Sequence, residues 1–274
     1  MESIPFDRRA VEPVRPLAPW IGGKRNLAKR LTATIDAVEG VALYAEPFLG
    51  MGGVFLRRRT RPRAEAVNDW NRDVATLFRV VQRHYQAFVE MIRWQLATRA
   101  DFDRLVRTDP ETLTDLERAA RFLYIARTCF GGRAAKPSFG VSPGRPSRFD
   151  VTKVVPLLED VHARLAGVTI ECLPYADFIA RYDRADTLFY LDPPYIESEG
   201  DYGRDLFGRE DFARLAGQLG GLRGRFILSI NDHPLARELF AGFEIEAAQT
   251  TYSIGVKGGR ASGASELIIR NFAA

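Results

Sequence analysis

Apolar positions along the chain follow two different periods. Val74, Leu77, Phe78, Val81, Tyr85, Phe88 and Ile92 recur at the spacing of one helical face. Short continuous apolar runs stand apart from this pattern: VALYAEPF (41–48), AEAVND (64–69), VTIECL (168–173), TLFYLD (187–192), RFILSIN (225–231), FEIEAAQ (243–249) and ELIIRN (266–271). These have strand length, and helical patterns separate most of them. Further helices are predicted over 26–38, over 52–59 (opening on glycines) and over 152–165. Another starts at Thr114, where TDLE forms a capping box with Glu117; its apolar face runs Leu116, Ala120, Leu123, Ala126, Phe130. The stretch 131–148 is loop by composition. The alternation predicts an α/β fold, a mostly parallel sheet with helices on both faces. The last two strands have no helix between them and predict a terminal antiparallel hairpin. Residues 71–150 interrupt the alternation and read as an inserted helical subdomain. That leaves 1–16 as a polar tail, and 17–70 with 151–274 as the main domain.

Composition narrows the class. A chain of 274 residues with 46% hydrophobic and 27% charged positions reads as an ordinary soluble globular protein. No apolar signal core opens it and no run is long enough to span a membrane, so a cytoplasmic location is expected. Cys129 and Cys172 form no C-x-x-C pair, and His84, His162 and His233 are isolated. This argues against a zinc site, a disulfide scaffold or a metal cluster. The net charge of +4 leans mildly toward a polyanionic partner. Its distribution says more. From Arg118 to Phe149 there are seven basic residues and no acid, with Phe130 and Phe139 interleaved. A second basic cluster, RRRTRPR at 57–63, reads as a solvated helix end and loop.

Three short stretches carry chemistry. In TLFYLDPPYIES a strand ends on Asp192, followed by Pro193, Pro194 and Tyr195. Proline fixes φ and biases the preceding residue toward an extended conformation. Asp192 is therefore held at a strand's carboxyl end, the edge where open α/β sheets bind ligands. In EPFLGMGG, Pro47 and Phe48 precede Gly50 and Gly52, which permit a tight turn and close backbone approach. Asp69 follows Gly50 by nineteen residues, a spacing at which a carboxylate commonly takes a ribose diol. This favours an adenosine-containing cofactor without saying which. In PWIGGKRN, Trp20 can stack on a ligand and Lys24 can meet a carboxylate or phosphate.

Taken in order, PWIGGK, EPFLGMGG, VNDWN, RTCFGG with its basic loop, LDPPY, YSIGVKGGR and SELIIRN resemble the Dam-like DNA adenine-N6 methyltransferases (D12 class, alpha group) over about residues 17–271. The resemblance implies a class I, Rossmann-like sheet, S-adenosylmethionine as methyl donor, double-stranded DNA as substrate and an inserted recognition subdomain. It places Trp20, Lys24, Pro47, Phe48, Gly50, Gly52, Asp69 and Asp192 at the cofactor. It makes Asp192, Pro193, Pro194 and Tyr195 the catalytic motif, acting on an adenine flipped from the duplex. Arg127, Arg133 and Lys136 are the candidate DNA contacts. No metal is implied. A monomer is expected, solitary or paired with a restriction endonuclease. Pro19 stands where Dam itself often has a lysine that contacts a base, and Gly131 where many members have asparagine, so no target sequence carries over. Methylation of RNA or of a protein amide, and a DNA-binding relative without catalysis, remain alternatives at this stage.

Overall fold

The computed structural model describes residues 8–20, 22, 24, 26–130, 137–140, 144, 146–197, 207–252 and 262–273, without the side chains of 250–252 and 262–264. In chain order its elements are β1 (Arg9–Ala10), α1 (Ala28–Ala37), β2 (Leu43–Glu46), β3 (Thr60–Arg61), β4 (Ala64–Asn68), α2 (Arg72–Arg83), α3 (Tyr85–Ile92), α4 (Arg99–Arg107) and α5 (Asp115–Thr128). Then follow α6 (Val151–Arg164), β5 (Thr169–Glu171), α7 (Tyr175–Tyr182), β6 (Thr187–Leu191), α8 (Arg209–Gly220), β7 (Arg225–Asn231), α9 (Pro234–Leu239), β8 (Glu244–Tyr252) and β9 (Ser262–Arg270). No described helix is long and apolar enough to cross a membrane.

A seven-stranded sheet runs in the order β5-β4-β2-β6-β7-β9-β8. Strands β5, β4, β2, β6 and β7 are mutually parallel. β9 pairs antiparallel with both β7 and β8. The terminal hairpin is therefore present, but folded back: β9 slots between β7 and β8 and alone runs against the other strands of the sheet. The chain works outward from β2 through β4 to β5, then returns to place β6 against β2. That reversal makes the carboxyl ends of β2 and β6 the switch point at which open α/β sheets place a ligand crevice.

Alternation along the strands sorts side chains into two layers. Tyr44, Leu188, Tyr190, Ile227 and Ile268 join a core with α1, α2, α3, α5 and α6. Ala45, Phe189, Leu191, Leu228, Leu267 and Ile269 join a core with α7, α8 and α9. The helices of 72–128 thus share one continuous core with the sheet.

Several local expectations change. The 52–59 segment is no α-helix: after turns at the glycines it makes a single 3-10 turn, Phe55–Arg57. Its carbonyls are taken from outside, Leu56 O by Val14 N–H and Arg59 O by Val11 N–H. The same bonds, with β1 paired to β3, bring residues 9–14 of the presumed tail onto the domain. The long apolar face from Val74 to Ile92 is carried by two helices, with a break at His84. α5 keeps its capping box but ends at Thr128. Cys129 is extended and bridges Phe139, so Phe130 leaves the predicted face and is 63% exposed. α4 escaped prediction because Phe102 alone of its residues is buried.

Arg58, expected in solvent, is buried. It donates to Glu65 at 2.8 Å, and Arg164 grips the same carboxylate at 2.7 and 2.8 Å. The two guanidinium groups lie over the rings of Tyr44 and Phe55. Breaking a buried pair leaves a charge without its partner. Arg164→Met is therefore expected to lower the free energy of unfolding by about 3 kcal/mol, read by urea denaturation.

Candidate active site

At the crevice, each predicted loop is fixed by a different device. After β2, Gly50 and Gly52 both have left-handed φ, +51° and +70°. A Cβ on Gly50 would sit 2.8 Å from the Trp20 indole nitrogen, so glycine is required twice over. Trp20 is half-buried and sets its edge against Phe122. Asp69, just beyond β4, accepts the Gly50 and Asn71 N–H groups, each at 2.8 Å. Asn68, fully buried, donates to the carbonyls of Pro47 and Leu173 and accepts Leu173 N–H. It thereby ties the ends of β2, β4 and β5. Phe48 packs on Tyr175 and Phe207.

After β6, Pro193 and Pro194 are buried and Asp192 keeps 23% of its side chain exposed. Asn231 of β7 brackets the exit of the motif, accepting Ile196 N–H at 3.0 Å and donating to its carbonyl at 3.3 Å. Beneath it, the Tyr190 and Ser229 hydroxyls meet at 2.8 Å. The buried Lys24 ammonium lies 2.6 Å from Asp192 Oδ1 and donates to the Tyr195 hydroxyl at 2.8 Å. It also lies 4.3 Å from the centre of the Tyr195 ring. The Tyr195 hydroxyl donates in turn to Glu266 Oε1 at 2.5 Å.

A model of the D12 class N6 adenine-specific DNA methyltransferases matches residues 20–254. The chain belongs to this family. It is 28% identical to the type II methyltransferase M1.LlaDCHI of Lactococcus lactis subsp. cremoris, over 94% of this chain and 96% of that one. It is 27% identical to M.MjaIII of Methanocaldococcus jannaschii, over 94% and 99%. The DNA N-6-adenine-methyltransferase of Escherichia phage P1 is 27% identical over 91% of this chain and 34% of its own length. The protein is a site-specific DNA adenine methyltransferase, and its sheet is the Rossmann-like sheet of that class.

Within this methyltransferase, burial pushes the Asp192 carboxyl up to about 6; the Lys24 charge and hydrogen bond oppose the rise and Glu266 adds to it. Burial likewise lifts Asp69 to about 6, against the Gly50 and Asn71 N–H groups. Glu46, at the end of β2, is raised to about 8 by burial, with the Tyr44 hydroxyl bond working the other way and the Asp192 charge adding to the rise. At neutral pH Glu46 holds its proton while Asp192 is mostly ionised. A glycine cradle closed by a half-exposed indole, beside a carboxylate with acceptor capacity left over, fits a nucleoside-bearing cofactor.

The described arginines of the basic stretch find partners within the protein. Arg127 donates to the carbonyls of Leu17 and Arg148, which makes it an anchor for the segment leading to Trp20 and leaves its guanidinium engaged within the protein. Arg118 is buried between Asp73 and Glu111, and Arg121 donates to Leu105 O. The absence of acids in sequence did not mean absence in space. Arg133 and Lys136 lie outside the described residues. Sequence reading missed Asn68, Asn231, Glu46 and Glu266. An acid opening the apolar run ELIIRN was the available signal for Glu266.

Gly50→Ala is expected to cost about 1–2 kcal/mol of stability through its left-handed φ and to displace Trp20. A shift in intrinsic fluorescence together with a lower unfolding midpoint checks this.

Proposed function

We propose that the protein transfers a methyl group from S-adenosylmethionine to N6 of an adenine turned out of the DNA duplex, with Asp192 and the Pro193 carbonyl accepting the two amino hydrogens. The observation that carries this reading is the placement of Asp192: part-exposed at the switch point, held by a buried ammonium, and followed by two buried prolines. Gly50, Gly52, Trp20, Pro47, Phe48 and Asp69 are the residues that would hold the cofactor. When bound, S-adenosylmethionine supplies a methyl group made electrophilic by its sulfonium.

The amino nitrogen of adenine is a poor nucleophile because its lone pair is delocalised into the ring. Two acceptors polarise its N–H bonds and direct the lone pair, so orientation and electrostatics supply the catalysis. Methyl transfer would form a C–N bond at N6 as the sulfonium C–S bond breaks, with a neutral thioether as the leaving group. The nitrogen becomes acidic once methylated, so a proton then passes to Asp192 or to water without a strong base. Tyr195 stacks on the extruded base. The exposed Phe130, at the root of the basic loop, is suited to enter the base stack as the adenine leaves it. Arg133 and Lys136 on that loop would meet phosphates or bases. The type II names of its relatives favour a role as the protective half of a restriction–modification pair.

The direct test is expression of the wild type and Asp192→Ala in a host without adenine methylation, followed by single-molecule sequencing. N6-methyladenine at one short motif in the wild type alone is expected. A soluble wild type that leaves no methylated adenine would overturn the DNA reading and turn attention to RNA or protein acceptors.

Activity also has a predicted pH dependence. Asp192 must be ionised to accept the amino hydrogens, and its pKa is about 6. The single-turnover rate should therefore rise with pH through about 6 and then level off. Lys24 favours the ionised form, so Lys24→Ala should move this acid limb to higher pH.

A further inference from the structure

Glu266 has no part in the scheme above, yet it is the second carboxylate beside the Lys24 ammonium. Antiparallel β9 enters the sheet with Glu266 opposite Asn231, the last residue of β7. This brings an acid from the middle of β9 to the carboxyl edge of its parallel neighbours. The residue is 1% exposed. One oxygen accepts the Tyr195 hydroxyl at 2.5 Å. The other lies 3.5 Å from the Lys24 nitrogen, and among the described residues it accepts no hydrogen bond. A buried carboxylate is costly unless paired, and this one is only half provided for.

We propose that Glu266 is a positioning residue for methyl transfer: it orients Tyr195 through its hydroxyl and receives the Lys24 ammonium as the adenine amino group takes up Asp192. The inference rests on Asp192 being the acceptor of that amino group. An ammonium at 2.6 Å from Asp192 Oδ1 is a stronger partner than a neutral amino N–H. To serve the substrate, Asp192 must share or release it. Lys24 has three hydrogens, and Tyr195 already holds one. A short shift toward Glu266 Oε2 keeps the ammonium paired at every stage. The Tyr195 hydroxyl has a single proton and gives it to Glu266, which holds the hydroxyl end of the ring in place.

The charges around Asp192 give the idea a definite sign. Lys24 faces it from the segment ahead of α1, Glu266 from β9, and Tyr195 from its own loop. Glu46 of β2 and Tyr190 of β6 also act on or respond to its charge, and burial keeps both protonated at neutral pH. Glu266 opposes ionisation of Asp192. Removing its charge should therefore make Asp192 easier to ionise even while it slows the reaction, a combination that simple damage does not produce.

The test compares wild type, Glu266→Gln, Glu266→Leu and Asp192→Ala with duplex DNA and S-adenosylmethionine under single-turnover conditions. Glu266→Gln keeps the size and an acceptor for Tyr195 while losing the charge. It should slow methyl transfer by about ten- to hundredfold, with KM for DNA changed by less than about threefold. Its acid limb should move to lower pH. Carboxyl carbon NMR of the free protein should show Asp192 titrating at lower pH in the same variant. Glu266→Leu should be slower still, and if it does not fold the Gln variant decides the matter alone. Wild-type rate and limb in Glu266→Gln would overturn the proposal. So would a rate loss that tracks a lowered Tm with the Asp192 titration unmoved. Asp192→Ala separates the two levels: full activity there removes the acceptor reading itself, whereas an inactive Asp192→Ala beside an unaltered Glu266→Gln removes only the role of Glu266.

Discussion

The buried ammonium of Lys24 joins parts of the chain that have no other reason to meet. It comes from the segment ahead of α1 and contacts Asp192 and Tyr195 after β6 and Glu266 on β9. A lysine with so little exposure is tolerated only when its charge is answered. Two carboxylates and a phenol answer it, and in the proposed mechanism those are the groups that must hold still. The same contacts that make the ammonium acceptable in the interior therefore define the geometry of the proposed catalytic motif. The ammonium also keeps Asp192 ionisable in a place that would otherwise favour its neutral form.

Topology supplies the other half. The order of strands reverses between β2 and β6, so the glycine loop and the proline-rich motif leave the sheet side by side. Asn68 and Asn231 secure these two exits from neighbouring strands. The left-handed Gly50 lets the backbone pass beneath the Trp20 indole. The site is rigid where backbone must be presented and charged where a hydrogen must be accepted. β9, running against the rest of the sheet, adds an acid to the edge that parallel strands alone would have supplied with their carboxyl ends only.

The arginines show how much charge a sequence can hide. Arg58 and Arg164 converge on Glu65 inside the domain, Arg118 is enclosed by Asp73 and Glu111, and Arg127 grips backbone carbonyls. A basic composition overstates the surface available to a polyanion when the acids that answer it arrive from other elements. Phe130 is the reverse case, an apolar residue that helical periodicity would bury and that an extended Cys129 turns outward.

Sequence alone was enough for the features that depend on near neighbours. Strand runs, the α5 capping box, the glycine loop, the spacing to Asp69 and the stiffness of the Asp192–Tyr195 motif are all written in adjacent residues, because φ restrictions and side-chain period are local properties. Their order along the chain was enough to bring the family into view. Tertiary structure alone decided which charges pair. Lys24 finds Asp192, and Glu266 finds Tyr195, across long stretches of intervening chain, and no local rule encodes such partners. It also decided that β9 slots between β7 and β8, that the 52–59 segment stays non-helical, and that Arg127 faces the protein's own backbone. Each of these outcomes is a competition for a hydrogen bond or a counter-charge, won by a group that the fold, and not the neighbouring sequence, brings within reach.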